Sequence, residues 1–230
     1  MYKTFFVSLF LNFSLKPCIQ EQPPAALLQK LKAKLDLVKD YQAEGTMKTN
    51  VSFLKVPQAE VKIYYKKPDR LKIKNEKGIS LVPKGSFGIT LNNLFSGSFS
   101  ALDAGLELLA GKKLRVLKLL PADNDAEIVL STLYVDENRL LILKATTTTR
   151  ENGTYEVEME YGKYLSYALP DKINCTFNIK DYKLPKGMTF DYDDGSVRKA
   201  GGELVSKGKI EITYHSYIIN KGIADSLFKN

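Results

Sequence analysis

Strict alternation of apolar and polar residues follows residue 43 and predicts β-strands. Residues 47–53, 61–66 and 70–74 show this period of two, and Pro68-Asp69 marks a turn between the last two segments. Successive side chains of a strand point to opposite faces, so each segment has one apolar face and one wet face. This pattern is typical of antiparallel sheets that bury one side.

The second half of the chain continues the pattern more regularly. Asn152-Gly153 is a strong signal for a two-residue hairpin turn. Glu156, Glu158 and Glu160 would face water in the strand that follows, and a lysine-bearing strand could exchange ion pairs with them. The predicted strands in this half are residues 114–120, 127–135, 140–149, 155–161, 172–180 and 210–214. Another short strand is predicted at 78–83.

Two segments show helical spacing instead. In residues 27–41, apolar side chains recur at steps of three and four, from Leu28 and Leu31 to Leu35 and Val38. Residues 101–110 predict a short second helix, because Leu102, Leu106 and Leu109 would share a face and Gly111 would end it. The apolar, glycine-containing stretch 86–100 before it suggests either a mobile cover over an apolar site or a fixed, irregular part of the core.

About nine or ten strands and only two or three short helices have a consequence for the fold. A sheet of that size must curl, split or close. Two short helices cannot cover its whole apolar face, so the sheet either closes as a barrel or leaves an apolar cavity. A concave apolar surface of this kind usually takes a ligand or a partner. We expect residues 27–230 to form one domain, since no repeat or low-complexity linker divides them.

The N-terminus predicts export. Lys3 precedes an uncharged, Phe- and Leu-rich stretch at residues 4–15, which suits a signal peptide and is too short for a bilayer span of about 20 residues. Residues 1–18 are therefore interpreted as a signal peptide and 19–26 as a tether. Leu15-Lys16-Pro17-Cys18 resembles a lipobox with atypical residues before Cys18. Lipidation of Cys18 would leave Cys175 as a lone thiol, and an unmodified Cys18 would permit a disulfide.

Charge and composition exclude several kinds of function. The net charge of +8 falls to about +6 without the signal peptide, and the lysines are too scattered for a nucleic-acid footprint. His215 is the one histidine, so the sequence offers no histidine-based metal site or nucleophile pair. Asp191–Gly195 has calcium-loop spacing without the later carboxylate and is interpreted as a turn. We predict no catalytic residue, metal or cofactor.

Two short segments carry a family resemblance. Residues 65–73 read Tyr-Lys-Lys-Pro-Asp-Arg-Leu-Lys-Ile, and residues 217–228 contain an N-x-x-I-x-D-x-x-F pattern starting at Asn220. With the N-terminal helix and a predicted helical interruption near residues 106–111, they resemble the LolA/LolB-like lipoprotein-carrier family of bacterial periplasmic proteins. The usual aromatic strand after the K-x-P segment is absent, since residues 76–81 contain no aromatic side chain.

The resemblance implies a mainly β (α+β) fold: a strongly curved antiparallel half-barrel with an N-terminal helix and a short helical lid on its concave face. A monomer would bind acyl chains of lipoproteins or lipids there, at a membrane surface or with another envelope protein. The alternative is an envelope sensor or assembly module that binds a protein. Leu102, Leu106 and Leu109 would form the lid. The predicted cavity-lining residues are Leu31, Val61, Ile63, Tyr65, Leu71, Ile73, Tyr155, Val157, Met159, Phe177, Ile179, Ile212 and Tyr214.

Overall fold

The computed structural model describes residues 22–51, 54–55, 58–75, 95, 97–151, 153–178 and 207–228. The predicted signal peptide with Cys18, residues 19–21 of the predicted tether, the predicted strand at 78–83, most of the segment 86–100, Ile179 and the predicted acidic turn at Asp191–Gly195 lie outside these residues. For those features the sequence interpretation stays a prediction.

One α-helix, two short 3-10 helices at Leu165–Tyr167 and Asp225–Phe228, and eleven strands make up the regular structure of the described residues. Helix α1 spans Pro24–Leu35. The strands are β1 Asp40–Val51, β2 Leu54–Lys55, β3 Ala59–Lys66, β4 Arg70–Asn75, β5 Phe99–Leu109, β6 Lys112–Pro121, β7 Ile128–Asp136, β8 Leu141–Thr149, β9 Gly153–Glu160, β10 Lys172–Asn178 and β11 Lys207–Ile219.

The strands form one antiparallel sheet in the order β4-β3-β1-β11-β10-β9-β8-β7-β6-β5, with the short β2 beside β1. It consists of two meanders, β5 to β11 and β1 with β3 and β4, joined where β1 pairs with β11. Within the described residues, β4 and β5 are the two open ends. The expectation of a mainly β, curved and unclosed antiparallel sheet with an N-terminal helix is confirmed.

The apolar face of the sheet holds the core. Period-two positions such as Ile63, Val157 and Ile212 are buried, whereas their sequence neighbours are more exposed. The leucines Leu27 and Leu31 of α1 belong to the same apolar cluster, so the helix lies on this inner face. Alternation in the sequence therefore fixes which side chains face inward, and curvature brings them together.

Helix α1 is shorter than the spacing predicts. It starts at Pro24, three residues before the predicted start and inside the predicted tether, because proline suits a first turn in which its missing N–H would have no helical partner. It ends at Leu35, not at residue 41, and Tyr41 already belongs to β1. Helical spacing continues to Val38, but pairing of β1 with β3 and β11 extends the backbone from Asp40.

The predicted lid helix is wrong. Residues 101–110 lie almost entirely in strand β5, which pairs with β6 from Phe99 opposite Pro121 to Leu109 opposite Lys112. A register shift between Asp103 and Leu106 breaks the alternation, so the leucines fall at steps of four and three, as they would in a helix. Ala110 and Gly111 both have positive φ, which suits a two-residue hairpin turn rather than a helix end.

Candidate functional site

The inner face of the sheet gathers the side chains predicted to line a cavity. β3, β9 and β11 each contribute at least two of them, and Leu31 of α1 joins them in one apolar cluster. Leu71 is partly buried at its border, and the other described members are buried. The members within the described residues are Leu31, Val61, Ile63, Tyr65, Leu71, Ile73, Tyr155, Val157, Met159, Phe177, Ile212 and Tyr214.

Sequence reasoning missed further members of this face. Leu117, Leu119, Leu133 and Val135 lie on β6 and β7, and their alternation was visible in the sequence. Tyr217 was missed for a structural reason. The register of β11 shifts opposite Glu44 and Gly45, so both Tyr214 and Tyr217 turn inward although they are three residues apart.

Stacked tyrosines close one end of the inner face. The ring centroid of Tyr217 lies 5.3 Å from that of Tyr41, 5.0 Å from Tyr214 and 4.9 Å from Tyr164. Tyr41 also stacks on Tyr65 at 5.3 Å. Burial raises the pKa values of Tyr41, Tyr214 and Tyr217, so these hydroxyls stay protonated.

Two of these hydroxyls donate to backbone carbonyls. Tyr217 Oη donates to the Pro170 oxygen at 2.7 Å, and Tyr65 Oη donates to the Pro68 oxygen at 3.2 Å. Such bonds satisfy the polar end of a ring whose body is packed among apolar groups. The tyrosine cluster is therefore packed and hydrogen-bonded where β1 begins and β11 ends.

The polar attachments of α1 to the rest of the fold lie at its C-terminal end, while Leu27 and Leu31 pack into the core and the helix also contacts β5. Lys34 Nζ donates to the Arg139 carbonyl oxygen at 2.6 Å, and Asp36 pairs with Lys67. Asn220 then holds the chain that follows. Its Nδ2 donates to the Leu37 oxygen at 2.8 Å, and its Oδ1 accepts from the Lys39 backbone N–H at 2.7 Å. At the other end, the Pro23 carbonyl oxygen accepts hydrogen bonds from the Ala26 and Leu27 N–H groups at 3.0 and 3.1 Å.

The two sequence segments that carry the family resemblance meet in space. Lys66 Nζ lies 2.6 Å from Asp225 Oδ1, and Arg70 Nη1 lies 2.8 Å from the same oxygen. Hydrogen bonds from Lys66 and Arg70 hold the pKa of Asp225 below its usual range. The Arg70 guanidinium also lies 5.4 Å from the Phe228 ring centroid, within cation–π range. The C-terminal segment is thus fastened to the β3–β4 turn.

The predicted lid leucines lie outside the core cluster. Leu102 is 53% exposed, Leu106 is 48% exposed, and Leu109 is partly exposed. Between them, Asp103 pairs with Arg115 of β6, and Glu137 takes a second bond from the same guanidinium. These residues form an exposed strand at one end of the sheet.

The glutamate row on β9 lies beside β10 as predicted, with Glu160 opposite Lys172 and Glu158 opposite Asn174. The ion pairs differ from the expectation. Lys172 bonds Glu211 of β11 at 3.2 Å, and Glu156 bonds Lys144 of β8 at 2.7 Å. The ion pairs therefore join β10 to β11 and β9 to β8 rather than β9 to β10. Alternation along the sequence does not reveal which strands are neighbours.

A pocket of about 420 Å³ lies where the β5–β6 turn approaches β8, β9 and β10. Its lining mixes the cations Lys112 and Arg139 with the carboxylates Glu158 and Glu160. The charges of opposite sign give this pocket no net preference for an anion or a cation.

Two further chemically interesting side chains lie in the described part of the chain, Cys175 and His215. Cys175 is fully buried, and burial raises the pKa of its thiol to about 12. His215 is exposed, with its Nε2 3.1 Å from Thr46 Oγ1. No group of three His, Cys, Asp or Glu side chains within the described residues is arranged to hold a metal ion. None of the helices in the described part of the chain has the length and apolarity to cross a membrane.

An open, curved antiparallel sheet with a helix on its inner face is a LolA-like fold, and solved structures agree. A putative outer membrane lipoprotein-sorting protein domain from Vibrio parahaemolyticus aligns at TM-score 0.56 and 11% identity, over 88% of this chain and 94% of that one. A LolA superfamily protein from Nitrosomonas europaea aligns at TM-score 0.55 and 12% identity, over 88% and 97%.

A DUF1329 family protein from Desulfovibrio piger aligns at TM-score 0.54 and 13% identity, over 90% of this chain and 97% of that one. No protein-family model matches the sequence, and a search of curated proteins gives no match. The structural likeness at these identities establishes the fold. The resemblance stated from the sequence segments is confirmed at that level.

Proposed function

We propose that this chain binds acyl chains of lipoproteins or lipids on the inner face of its sheet and carries them within the bacterial envelope. The proposal assigns no catalytic residue. It includes export through the signal peptide at residues 1–18, with Cys18 as a candidate site of lipidation and membrane tethering. The observation that carries the proposal is the continuous apolar inner face. In the spatial order of the sheet it extends over nine strands, from β4 at one end to β6. The LolA-like fold supports it.

The binding energy would come from burial of hydrocarbon. Each buried methylene contributes about 0.8 kcal/mol, so a long acyl chain gains on the order of 10 kcal/mol before the cost of opening the protein. The leucines of α1, with Leu27 and Leu31 buried and Leu28 and Leu35 partly buried, occupy the same apolar cluster. An acyl chain would replace them, and the exchange of one apolar contact for another keeps that opening cost low.

Opening would be a swing of α1 about its C-terminal end. Asn220 clamps the backbone from Leu37 to Asp40 at that end, whereas the N-terminal half of the helix is held by burial of Leu27, a contact that hydrocarbon would replace. The stacked tyrosines close one end of the inner face. The acyl chain would therefore enter beneath the helix and point its terminal methyl toward the apolar interior.

The first test is native mass spectrometry of the purified protein, followed by titration with a fluorescent fatty acid. Ala145→Leu should weaken binding, because Ala145 is buried in the inner-face cluster and added volume there competes with ligand. Leu28→Ala should strengthen binding, because it trims the helix that competes with ligand. Leu37→Ala is the matched control, since that side chain is 52% exposed just beyond α1.

Thermal unfolding of each variant separates a binding effect from loss of fold. A variant that destabilises the protein and yet binds more tightly cannot be explained by general damage. A protein that carries no lipid after purification and binds no fatty acid saturably would contradict the proposal. A covalent lipid mass at Cys18 would support the tethered form.

One observation favours the alternative of a sensor or assembly module that binds a protein. The leucines of β5 form an exposed apolar strand, which such a module would use for docking. A lipid-free protein that retains a stoichiometric protein partner through purification would support this alternative over the carrier.

A further inference from the structure

The β5–β6 hairpin, Phe99–Pro121, exposes leucine side chains along the end strand of the described sheet. Leu108 is 71% exposed, Leu102 53% and Leu106 48%. We call these three residues the leucine edge. Apolar side chains of this size are seldom grouped on a surface that meets only water.

Leucines project from both faces of this strand. Directly paired residues of an antiparallel ladder share a face, and Leu102 pairs with Lys118 whereas Leu108 pairs with Lys113. Leu106 pairs with Arg115, which is on the same face as Lys113 because the two are two residues apart in β6. A flat protein surface laid against one face would leave the other leucines in water. A fluid interface can enclose both faces of the strand together.

The edge is poorly suited to pairing with another strand. The ladder between β5 and β6 shifts register between Asp103 and Leu106. Gly105 has a φ of 86°, and its N–H already donates to Asp103 Oδ1 at 2.8 Å. A bulge of this kind interrupts the row of free backbone groups that an added strand would need.

Charge indicates the chemistry of the occupant. Lys112, Lys113 and Lys118 are exposed on the hairpin, and Arg115 offsets Asp103 through two hydrogen bonds of 3.0 and 2.6 Å. The hairpin as a whole has four cations and two carboxylates. Leucines beside lysines match a surface with an anionic outer layer and an apolar layer beneath it.

We propose that the leucine edge and its lysines form a docking surface for an anionic phospholipid bilayer. The leucines enter the boundary between headgroups and acyl chains, and the lysines contact headgroup phosphates. The strand lies shallowly, so the backbone groups that have no partner strand among the described residues remain in the hydrated interface rather than in hydrocarbon. Leu106 and Leu108 lie on the side of β6 that also carries Leu117 of the core cluster, so this surface is an exposed continuation of the inner face at its β5 end.

The test uses the full 230-residue chain with vesicles of phosphatidylglycerol and phosphatidylcholine in equal parts, and with phosphatidylcholine alone. We expect binding to the anionic vesicles that weakens at high salt. Lys113→Gln should reduce the binding about fivefold, the usual worth of one lysine near an anionic membrane. Lys48→Gln on β1, also an exposed lysine, is the control and should bind as the parent does.

The leucines are tested separately. The double variant Leu106→Ser and Leu108→Ser should lose binding about tenfold or more, since both apolar side chains leave the interface. Ile218→Ser on β11 is the matched control, because that side chain is 52% exposed and distant from β5 in strand order. Thermal unfolding of both proteins checks the fold.

A tryptophan reporter gives an independent reading, because the natural chain contains no tryptophan. Emission from Leu108→Trp should shift to the blue on anionic vesicles and stay unchanged with phosphatidylcholine alone. Emission from Ile218→Trp should stay unchanged with both. Equal vesicle binding by the leucine variant and the parent would overturn the proposal, because the contact would then lie elsewhere. A blue shift that grows with protein concentration without vesicles would also overturn it, in favour of a second copy of the chain.

Discussion

Single residues in this protein matter most where the sheet departs from regular geometry. β11 contains an extra residue opposite Glu44 and Gly45, and this shift turns Tyr217 toward the core. A side chain on Gly45 would collide with the carbonyl oxygen of Thr213, because the two backbones approach closely there. Glycine at this position is therefore a packing requirement of the β1–β11 pair.

We expect Gly45→Ala to lower the free energy of unfolding by about 2–4 kcal/mol, since the collision is with backbone atoms and cannot be relieved by a rotamer change. Urea unfolding measures the effect. Thr46→Ala, the next residue along β1, should cost under about 1 kcal/mol. Equal stability of the Gly45 variant and the parent would mean that the bulge relaxes without cost.

Arg115 is a buried charged residue whose contacts also affect stability. Its side chain is only 5% exposed, and it bonds Asp103 and Glu137, which are 30% and 39% exposed. Hydrogen bonds from Arg115 lower the pKa of Asp103. Burial of a cation is tolerated here because two carboxylates satisfy it.

Arg115→Met should destabilise the protein at neutral pH by about 1–3 kcal/mol, less than for a fully buried pair because both carboxylates reach water. The pKa of Asp103 is lower in the folded protein than in the unfolded chain, where it is about 3.9. Its interaction with Arg115 therefore stabilises the fold fully above about pH 3.9, and this stabilisation is lost as the pH falls through the folded pKa. The difference between variant and parent should therefore shrink from pH 6 to about pH 2.

Chemical denaturation at several pH values measures this difference. Lys113→Met changes an exposed lysine two residues away. Its free energy of unfolding should differ little from that of the parent at the highest or the lowest pH. A destabilisation by Arg115→Met that is independent of pH would assign the effect to packing of the arginine side chain instead.

At the scale of elements, the C-terminal segment acts as a clasp on the β3–β4 turn. The 3-10 turn Asp225–Phe228 presents one carboxylate to both Lys66 and Arg70, and Phe228 lies under the Arg70 guanidinium. Lys66 also donates to the Ile223 oxygen at 2.8 Å. Both recognisable sequence segments thus take part in one local contact.

Asp225→Asn should loosen this clasp without unfolding the sheet, because the clasp lies outside the core. We expect trypsin to cut after Lys221 several-fold faster, since cleavage needs a locally opened chain. Asp69→Asn changes an exposed carboxylate in the β3–β4 turn and serves as the control. An unchanged cutting rate in the Asp225 variant would show that other contacts hold the segment.

The whole molecule depends on a pairing between strands that are far apart in sequence. β1 and β11 lie side by side, and β11 also pairs with β10, so the last strand joins the two meanders. Such long-range pairing costs loop-closure entropy before it gains contacts. Stability of the described sheet is therefore cooperative across its full width.

Truncation after residue 206 should abolish the cooperative thermal transition seen by circular dichroism, because the two meanders lose the strand between them. Truncation after residue 224 removes only the final turn and should retain the transition. A sharp transition in the shorter protein would mean that the β5–β10 meander folds alone.

The sequence by itself determined the strands and the faces they bury. Period two at residues 61–66, 155–160 and 172–177 predicted both the strands and their inward side chains, because backbone geometry forces side chains to alternate. A hairpin near residues 152–153 followed from local turn chemistry and joins β8 to β9, but Thr149 pairs with Gly153, so three residues rather than two separate the paired ends. The apolar cluster at the candidate site was predictable for the same reason.

Tertiary structure decided what local pattern could not. Leu102, Leu106 and Leu109 have helical spacing, but pairing with β6 and a bulge made them a strand. Helix α1 stops at Leu35 because β1 must pair with β3 and β11. The partner of Lys172 is Glu211 rather than a β9 glutamate, since β10 lies between two strands. In each case the deciding contact comes from residues distant in sequence, and neither propensity nor periodicity contains that information.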